Sequence, residues 1–79
     1  MPSRSLKERI QDMLTAIDEI ERFTATMNFD NFQSAEQTVK SVLYNMAIIG
    51  EAARHLPPEV AELYPEIPWI DVRGMRNVV

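Results

Sequence analysis

Residues 39–56, "VKSVLYNMAIIGEAARHL", decide the fold because their small and apolar residues recur on two faces of one helix. One stripe runs through Val39, Val42, Leu43, Met46, Ile49, Gly50 and Ala53. A weaker stripe lies opposite and runs through Tyr44, Ile48, Ala52 and His55. This spacing is that of an α-helix. A helix with two apolar faces is either central in a bundle or in contact with another chain.

Gly50 lies inside this predicted helix, where glycine costs about 1 kcal/mol relative to alanine. Ala47, Gly50 and Ala53 recur every three residues and form a line of small side chains. The spacing predicts that the backbone of a neighbouring helix approaches Gly50 closely. A ligand contact at Gly50 is the alternative interpretation.

The segment before this helix predicts another amphipathic helix, from Leu6 to about Thr26. Its apolar side chains follow a helical period: Leu6, Ile10, Met13, Leu14, Ile17 and Ile20. Ser5 and Glu8 have the spacing of a capping box, in which each side chain accepts a hydrogen bond from the other residue's backbone N–H. The helix is therefore expected to begin at Leu6.

Residues 27–37, "MNFDNFQSAEQ", interrupt the helical pattern and contain Asn and Asp, which favour turns. The interpretation is a turn in which Phe29 and Phe32 close the end of the bundle. Ser34 and Gln37 have the spacing of a second capping box. They predict that the helix containing residues 39–56, called the central helix below, begins after Ser34.

The prolines place the remaining boundaries. Pro57 and Pro58 end the central helix, and Pro58 can open a short helix that runs to about Tyr64 and is closed by Pro65. After "PEIPW", a last helix presents one apolar face, made of Val72, Met75 and Val79. The expected fold is a single all-α domain over residues 1–79, an antiparallel bundle of three long helices plus one short helix.

Composition narrows the class of protein. The chain has 79 residues, 46% of them hydrophobic, and no cysteine, which predicts a globular domain without disulfides or thiolate metal sites. A domain this small buries only roughly 60–65% of its unfolded surface, which favours a homodimer. The charged start of the chain resembles neither a signal peptide nor a membrane span, so a cytoplasmic protein that does not enter membranes is expected.

The net charge of −4 argues against nucleic-acid binding. Residues 66–79 are different, because two arginines there balance two acidic residues. Arg73 and Arg76 share a helix face with Trp69, so a guanidinium could stack on the indole or bind a phosphate. A solvated helix face is the alternative. Gly74 between the arginines favours a close contact or a bend.

Other catalytic or ligand-binding patterns are weak. His55 is the only histidine and has no partner at zinc-site spacing, so a surface or interface histidine is expected and no metal or other cofactor is predicted. The chain lacks a phosphate-binding glycine loop and the G-x-S-x-G pattern. Glu51 either pairs with Arg54, pairs with an arginine of another helix, or reaches solvent.

Three segments together carry a resemblance to a known family. "IIGEA" at residues 48–52, "PEIPW" at 65–69 and "GMRNVV" at 74–79 resemble the HepT-like family. The resemblance implies a dimeric helical ribonuclease toxin that is neutralised by a nucleotidyltransferase antitoxin of the MntA type. Its substrate would be RNA, cleaved by metal-independent arginine and histidine chemistry.

The family motif is arginine, four residues, histidine, one residue, tyrosine. Arg76 matches the arginine, and Asn77 matches the residue that commonly follows it, so both are implied to be catalytic. Arg73, Arg54 and His55 are implied to add positive potential nearby. The motif histidine and tyrosine would fall two and four places past Val79. The expectation is therefore a chain cut within its catalytic motif and inactive as it stands. The alternative is a non-catalytic helical scaffold that binds the nucleotidyltransferase.

Overall fold

The computed structural model describes residues 4–77, which form α-helices joined by short connections and contain no β-strand. Two helices are long: α1, Leu6–Thr24, and α3, Glu36–Arg54. Three are short: α2, Phe29–Ser34, α4, Pro58–Leu63, and α5, Trp69–Gly74. A 3-10 turn, Met75–Asn77, continues from α5. The all-α prediction is confirmed, whereas the antiparallel arrangement and the dimer stay predictions.

The predicted number of long helices is wrong for these residues, because the third is only six residues long before it tightens into the 3-10 turn. Gly74 ends the regular part of α5, as the predicted bend requires. Among residues 4–77, a close contact at Gly74 is not observed, since an added Cβ would have no neighbour within 4 Å apart from the adjoining chain and its own helix. Val79, predicted on the apolar face of this helix, lies outside the described residues.

The start of α1 is the capping box that the sequence predicts. The Ser5 hydroxyl accepts a hydrogen bond from the Glu8 backbone N–H at 3.1 Å, and the Glu8 carboxylate accepts one from the Ser5 N–H at 2.8 Å. The hydrogen bond from the Ser5 backbone N–H to the carboxylate, together with the nearby Ser5 hydroxyl, holds the pKa of Glu8 below its ordinary value. The second predicted capping box is wrong, because α3 begins at Glu36 and its N-cap residue is Ala35, which has no side chain that can cap the helix.

Residues 29–34 form α2 where the sequence analysis predicted a turn. Asn28 caps this helix, its side-chain oxygen accepting a hydrogen bond from the Asn31 backbone N–H at 2.8 Å. Ser34 is the last residue of α2, and its hydroxyl donates back to the Asp30 carbonyl at 2.9 Å. Phe32 is half-buried, but Phe29 is 74% exposed, so only one of the two phenylalanines helps to close the bundle.

The core lies mainly between α1 and α3 and is made of small side chains. The helices α1 and α3 pack against each other, and the buried apolar residues are Ala16 of α1 and Ile49, Ala52 and Ala53 of α3, of which Ala53 is fully inaccessible. Asn45 is also buried, and its amide donates to the Ser41 carbonyl at 3.0 Å. Small residues at the centre let the two long helices approach closely.

Of the two long helices, α1 exposes more large apolar side chains than α3. Leu6, Ile10, Leu14 and Ile17 are 38–56% exposed, and a groove between α1, α4 and the segment before α5 is lined almost entirely by apolar side chains. On the second face of α3, Tyr44 is exposed, Ile48 is half-buried and Ala52 belongs to the core. None of the helices described is long and apolar enough to cross a membrane.

Candidate functional site: an arginine turn seated on the central helix

The backbone of residues 73–76 packs directly against Gly50 of α3. A Cβ at this position would overlap the backbone nitrogen of Arg76 and would lie 3.0 Å from the carbonyl carbon of Met75. The carbonyl oxygen of Arg73 would be 3.1 Å away. The predicted close backbone approach is therefore confirmed, and backbone rather than a ligand occupies the space. This packing holds the 3-10 turn Met75–Asn77, which we call the arginine turn, against α3 at Gly50.

The side chain of Arg76 also contacts α3, at Glu51, the residue that follows Gly50. Its Nη1 donates to Oε2 of Glu51 at 3.3 Å. The other carboxylate oxygen, Oε1, lies 3.0 Å from Nε2 of His55, one helical turn along α3. We call Glu51, His55 and Arg76 the Glu51 cluster. Its three side chains are 40–53% exposed, so a solute can reach them.

The electrostatics of the cluster favour an ionised Glu51. The hydrogen bond to His55 lowers the pKa of this carboxyl below its ordinary value, and the positive charges of Arg76, His55 and Arg54 lower it further. Partial desolvation opposes the shift without reversing it. A group whose pKa is lowered on folding stabilises the folded state at higher pH, and the effect is lost as the pH falls through the lowered value. Glu51 is therefore ionised at neutral pH.

The other predicted site residues, Arg54, Arg73 and Asn77, lie on α3, on α5 and in the 3-10 turn. Arg54 is exposed in the last turn of α3 and contributes positive charge at Glu51. Arg73 is half-buried on α5, and its carbonyl faces Gly50. Asn77 is exposed at the last residue of the 3-10 turn. Of the alternatives for Glu51, the structure selects a pair with an arginine of another element while leaving the carboxylate accessible to solvent.

Stacking of an arginine on Trp69, one of the possibilities left open for Arg73 and Arg76, is not seen among the residues that the structure describes. The Trp69 indole instead donates through Nε1 to the Tyr64 carbonyl at 3.0 Å, which ties the start of α5 to the end of α4. Within residues 4–77, the guanidinium that lies over an aromatic ring is that of Arg22, 5.7 Å from the centre of Phe23. This leaves the Arg76 guanidinium with the carboxylate as its observed partner.

The sequence predicted Arg76 and His55 as separate site residues but did not indicate that one carboxylate joins them. The spacing of Glu51 and His55, four residues apart on a helix, is a local signal for that pair. Arg76 is 25 residues away from Glu51, and no local pattern connects the two. Across residues 4–77, no group of three His, Cys, Asp or Glu side chains is placed to hold a metal ion.

These features define a class: a small all-α protein in which a short C-terminal turn presents an arginine beside a carboxylate and a histidine of the central helix. The family described as "Ribonuclease HepT-like" matches residues 13–79, and the chain belongs to that family. No solved structure matches the chain.

Named proteins are similar over nearly the whole chain. "Probable ribonuclease HepT" of Thermococcus cleftensis is 38% identical over 94% of this chain and 67% of its own length. "Putative RNase MJ0125" of Methanocaldococcus jannaschii is 34% identical over 98% of this chain and 66% of its own length. "Putative RNase MJ0127" of the same organism is 32% identical over 98% of this chain and 64% of its own length. The chain thus spans about two thirds of the length of these relatives.

Proposed function

We propose that this chain is the helical domain of an endoribonuclease in which Arg76 contacts the scissile phosphate of RNA. The observation that carries the proposal is the seating of the arginine turn on Gly50, with the guanidinium held at Glu51. Membership of the HepT-like family and relatives named as RNases support it. The activity belongs to the complete protein, because the chain covers only part of those relatives.

The chemistry assigned to Arg76 is electrostatic. Negative charge builds on the phosphate oxygens as the bond to phosphorus breaks, and a positioned guanidinium stabilises that charge. Arg76 uses Nη1 for Glu51, which leaves its other N–H groups for a phosphate. The histidine of the family motif would transfer the proton, and these two groups together would allow cleavage without a metal ion. Asn77, exposed beside Arg76, would bind the same part of the RNA.

We further propose that the protein works in a toxin–antitoxin pair in the cytoplasm. Its partner would be a nucleotidyltransferase antitoxin of the MntA type, which in this family modifies the motif tyrosine. The support is the resemblance carried by "IIGEA", "PEIPW" and "GMRNVV". Because the net charge of −4 argues against general binding of nucleic acid, the proposal confines the RNA contact to the local group of arginines around Arg76.

A second candidate function is a non-catalytic scaffold for the nucleotidyltransferase. The observation that favours it is the exposed apolar groove beside α1, which suits a protein partner better than it suits RNA. The scaffold needs neither the motif histidine nor the charge of Arg76. Measuring RNA cleavage therefore separates the two candidates.

The test uses a form of the protein whose sequence continues past Val79 through x-His-x-Tyr, which we call the motif-complete protein. We expect it to cleave single-stranded RNA and to be suppressed by the modifying nucleotidyltransferase with ATP. The 79-residue chain should be at least about 100-fold slower, because general acid–base catalysis contributes roughly 10²–10⁴-fold. A motif-complete protein that is folded and leaves RNA intact would contradict the ribonuclease proposal and favour the scaffold.

We also propose that the protein is a homodimer that uses the second face of α3. Ile48 lies half-buried on that face beside the exposed Tyr44, so Ile48→Asp should shift sedimentation toward the monomer. Leu14→Asp is the matched variant, because Leu14 is 56% exposed on α1. Dissociation by Leu14→Asp alone would move the interface to α1. A wild-type monomer at tens of micromolar would contradict the dimer.

A further inference from the structure

The family resemblance implies only that His55 adds positive potential near Arg76, whereas the structure shows that His55 shares the Glu51 carboxylate with Arg76. We propose that His55 is a positioning residue: through Glu51, its protonation sets the net charge of the site at which Arg76 binds an RNA phosphate. The inference rests on the proposed function and adds to it a positioning residue, His55, and a dependence of RNA binding on pH.

His55 contacts the Glu51 carboxylate directly. Glu51 and His55 are one turn apart on α3, and Nε2 of His55 lies 3.0 Å from Oε1. The Oε2 atom faces Arg76 at 3.3 Å, so each carboxylate oxygen has one partner. Because the two oxygens belong to one rigid plane, the contact at Oε1 also orients Oε2. His55 therefore influences Arg76 without touching it.

Charge makes this arrangement sensitive to pH. When His55 is neutral, the charges of Glu51 and Arg76 cancel, and the cluster attracts a phosphate only weakly. When His55 is protonated, the cluster carries a net charge of about +1, because Glu51 then has two cationic partners. Histidine side chains commonly change charge between about pH 5 and 8. RNA binding at Arg76 should consequently strengthen as the pH falls through that range.

The neighbouring arginines, Arg54 and Arg73, would not make RNA binding depend on pH. Arg54 acts on Glu51 from the same helix, and Arg73 lies on α5 next to the arginine turn. Both guanidinium groups stay protonated throughout the neutral range, so they add constant potential. His55 is the only histidine in the chain, which also has no cysteine. Within the cluster, His55 is therefore the residue whose side-chain type can change charge near neutral pH.

The test measures RNA binding without cleavage. The protein is the motif-complete form with its motif histidine replaced by alanine, so that His55 is the histidine left to titrate. The probe is a short single-stranded RNA, and binding is measured by fluorescence anisotropy at constant ionic strength. From about pH 8 to about pH 6, we expect the affinity to rise about two- to fivefold, as befits one exposed charge. A constant affinity would overturn the inference.

His55→Gln separates the charge of His55 from its hydrogen bond. Glutamine can still donate a hydrogen bond to Glu51 but cannot be protonated, so this variant should bind with the wild-type affinity at about pH 8 and lose the rise at about pH 6. Lys7→Gln is the control, because it removes a positive charge from the exposed start of α1 and should leave the rise in place. An unchanged rise in His55→Gln would overturn the inference.

Two further variants keep the inference distinct from the proposed function. In the motif-complete protein, Glu51→Gln should lower kcat while leaving KM unchanged or lower, because the site becomes more positive but Arg76 loses its anchor. Arg76→Ala should weaken RNA binding at both pH values. If Arg76→Ala has no effect on binding or cleavage, the proposed function fails. If Arg76 matters but His55→Gln titrates like the wild type, only the role of His55 fails.

Discussion

Replacing Gly50 with alanine should lower the free energy of unfolding by about 1–3 kcal/mol, the usual cost of overpacking a filled site. Alanine inside a helix would otherwise gain about 1 kcal/mol over glycine. The sign reverses because the new methyl group would overlap the backbone nitrogen of Arg76, and a backbone atom cannot turn away as a flexible side chain does. Urea denaturation of the 79-residue chain measures the change.

The matched control for this substitution is Gly74→Ala. Gly74 is also helical, has no positive φ, and has open space where a Cβ would be placed. Alanine should therefore leave stability unchanged or raise it by about 0.4–1 kcal/mol. In the motif-complete protein, Gly50→Ala should also reduce RNA cleavage, because the arginine turn could no longer pack against α3 in its native position. Equal stability of the two variants would mean that the turn does not rest on Gly50 in solution.

Replacing Arg76 with alanine in the motif-complete protein should reduce RNA cleavage by about 10²–10³-fold, the typical loss when one transition-state donor is removed. Arg76→Lys should recover little, because lysine keeps the charge but loses the planar, forked arrangement of N–H groups. The fold should survive both changes, since the Arg76 side chain is 40% exposed and its partner Glu51 can be hydrated instead. Initial rates on a labelled RNA measure the effect.

Arg22→Ala is the control for a general loss of positive charge. Arg22 also forms a surface pair with a carboxylate, that of Asp18 at 3.0 Å, but it lies on α1 away from the arginine turn. Cleavage by this variant should match that of the wild type. If Arg76→Ala cleaved as fast as Arg22→Ala, Arg76 would not be catalytic, and the scaffold function would be favoured.

Sequence alone determined the elements whose signals are local. The capping box at Ser5 places the start of α1, and Pro57 and Pro58 place the end of α3 and the start of α4. Each signal acts between residues one or two turns apart, so neighbouring side chains and the backbone decide the outcome. The same local reasoning could have found α2, because Asn28 is a favourable N-cap residue that the turn interpretation passed over.

The boundaries that local reasoning missed depend on competition between neighbouring segments. Ser34 has the spacing of a helix cap, but it serves as the end of α2, and its hydroxyl bonds back to Asp30. Ala35 is then left to join α2 to α3 without a side-chain cap. Hydroxyl groups that can bond to either side of a junction do not identify which helix they will join.

The candidate site is where tertiary structure was decisive. The small residues around Gly50 predicted that some backbone would approach, and the family motif singled out Arg76, but neither indicated that the two meet. Their contact and the Glu51 to Arg76 hydrogen bond join residues about 25 positions apart, through the packing of α5 and the 3-10 turn on α3. A local pattern extends over a few turns of one helix, whereas the partners of Glu51 are selected by which surfaces remain to be covered once the helices have packed.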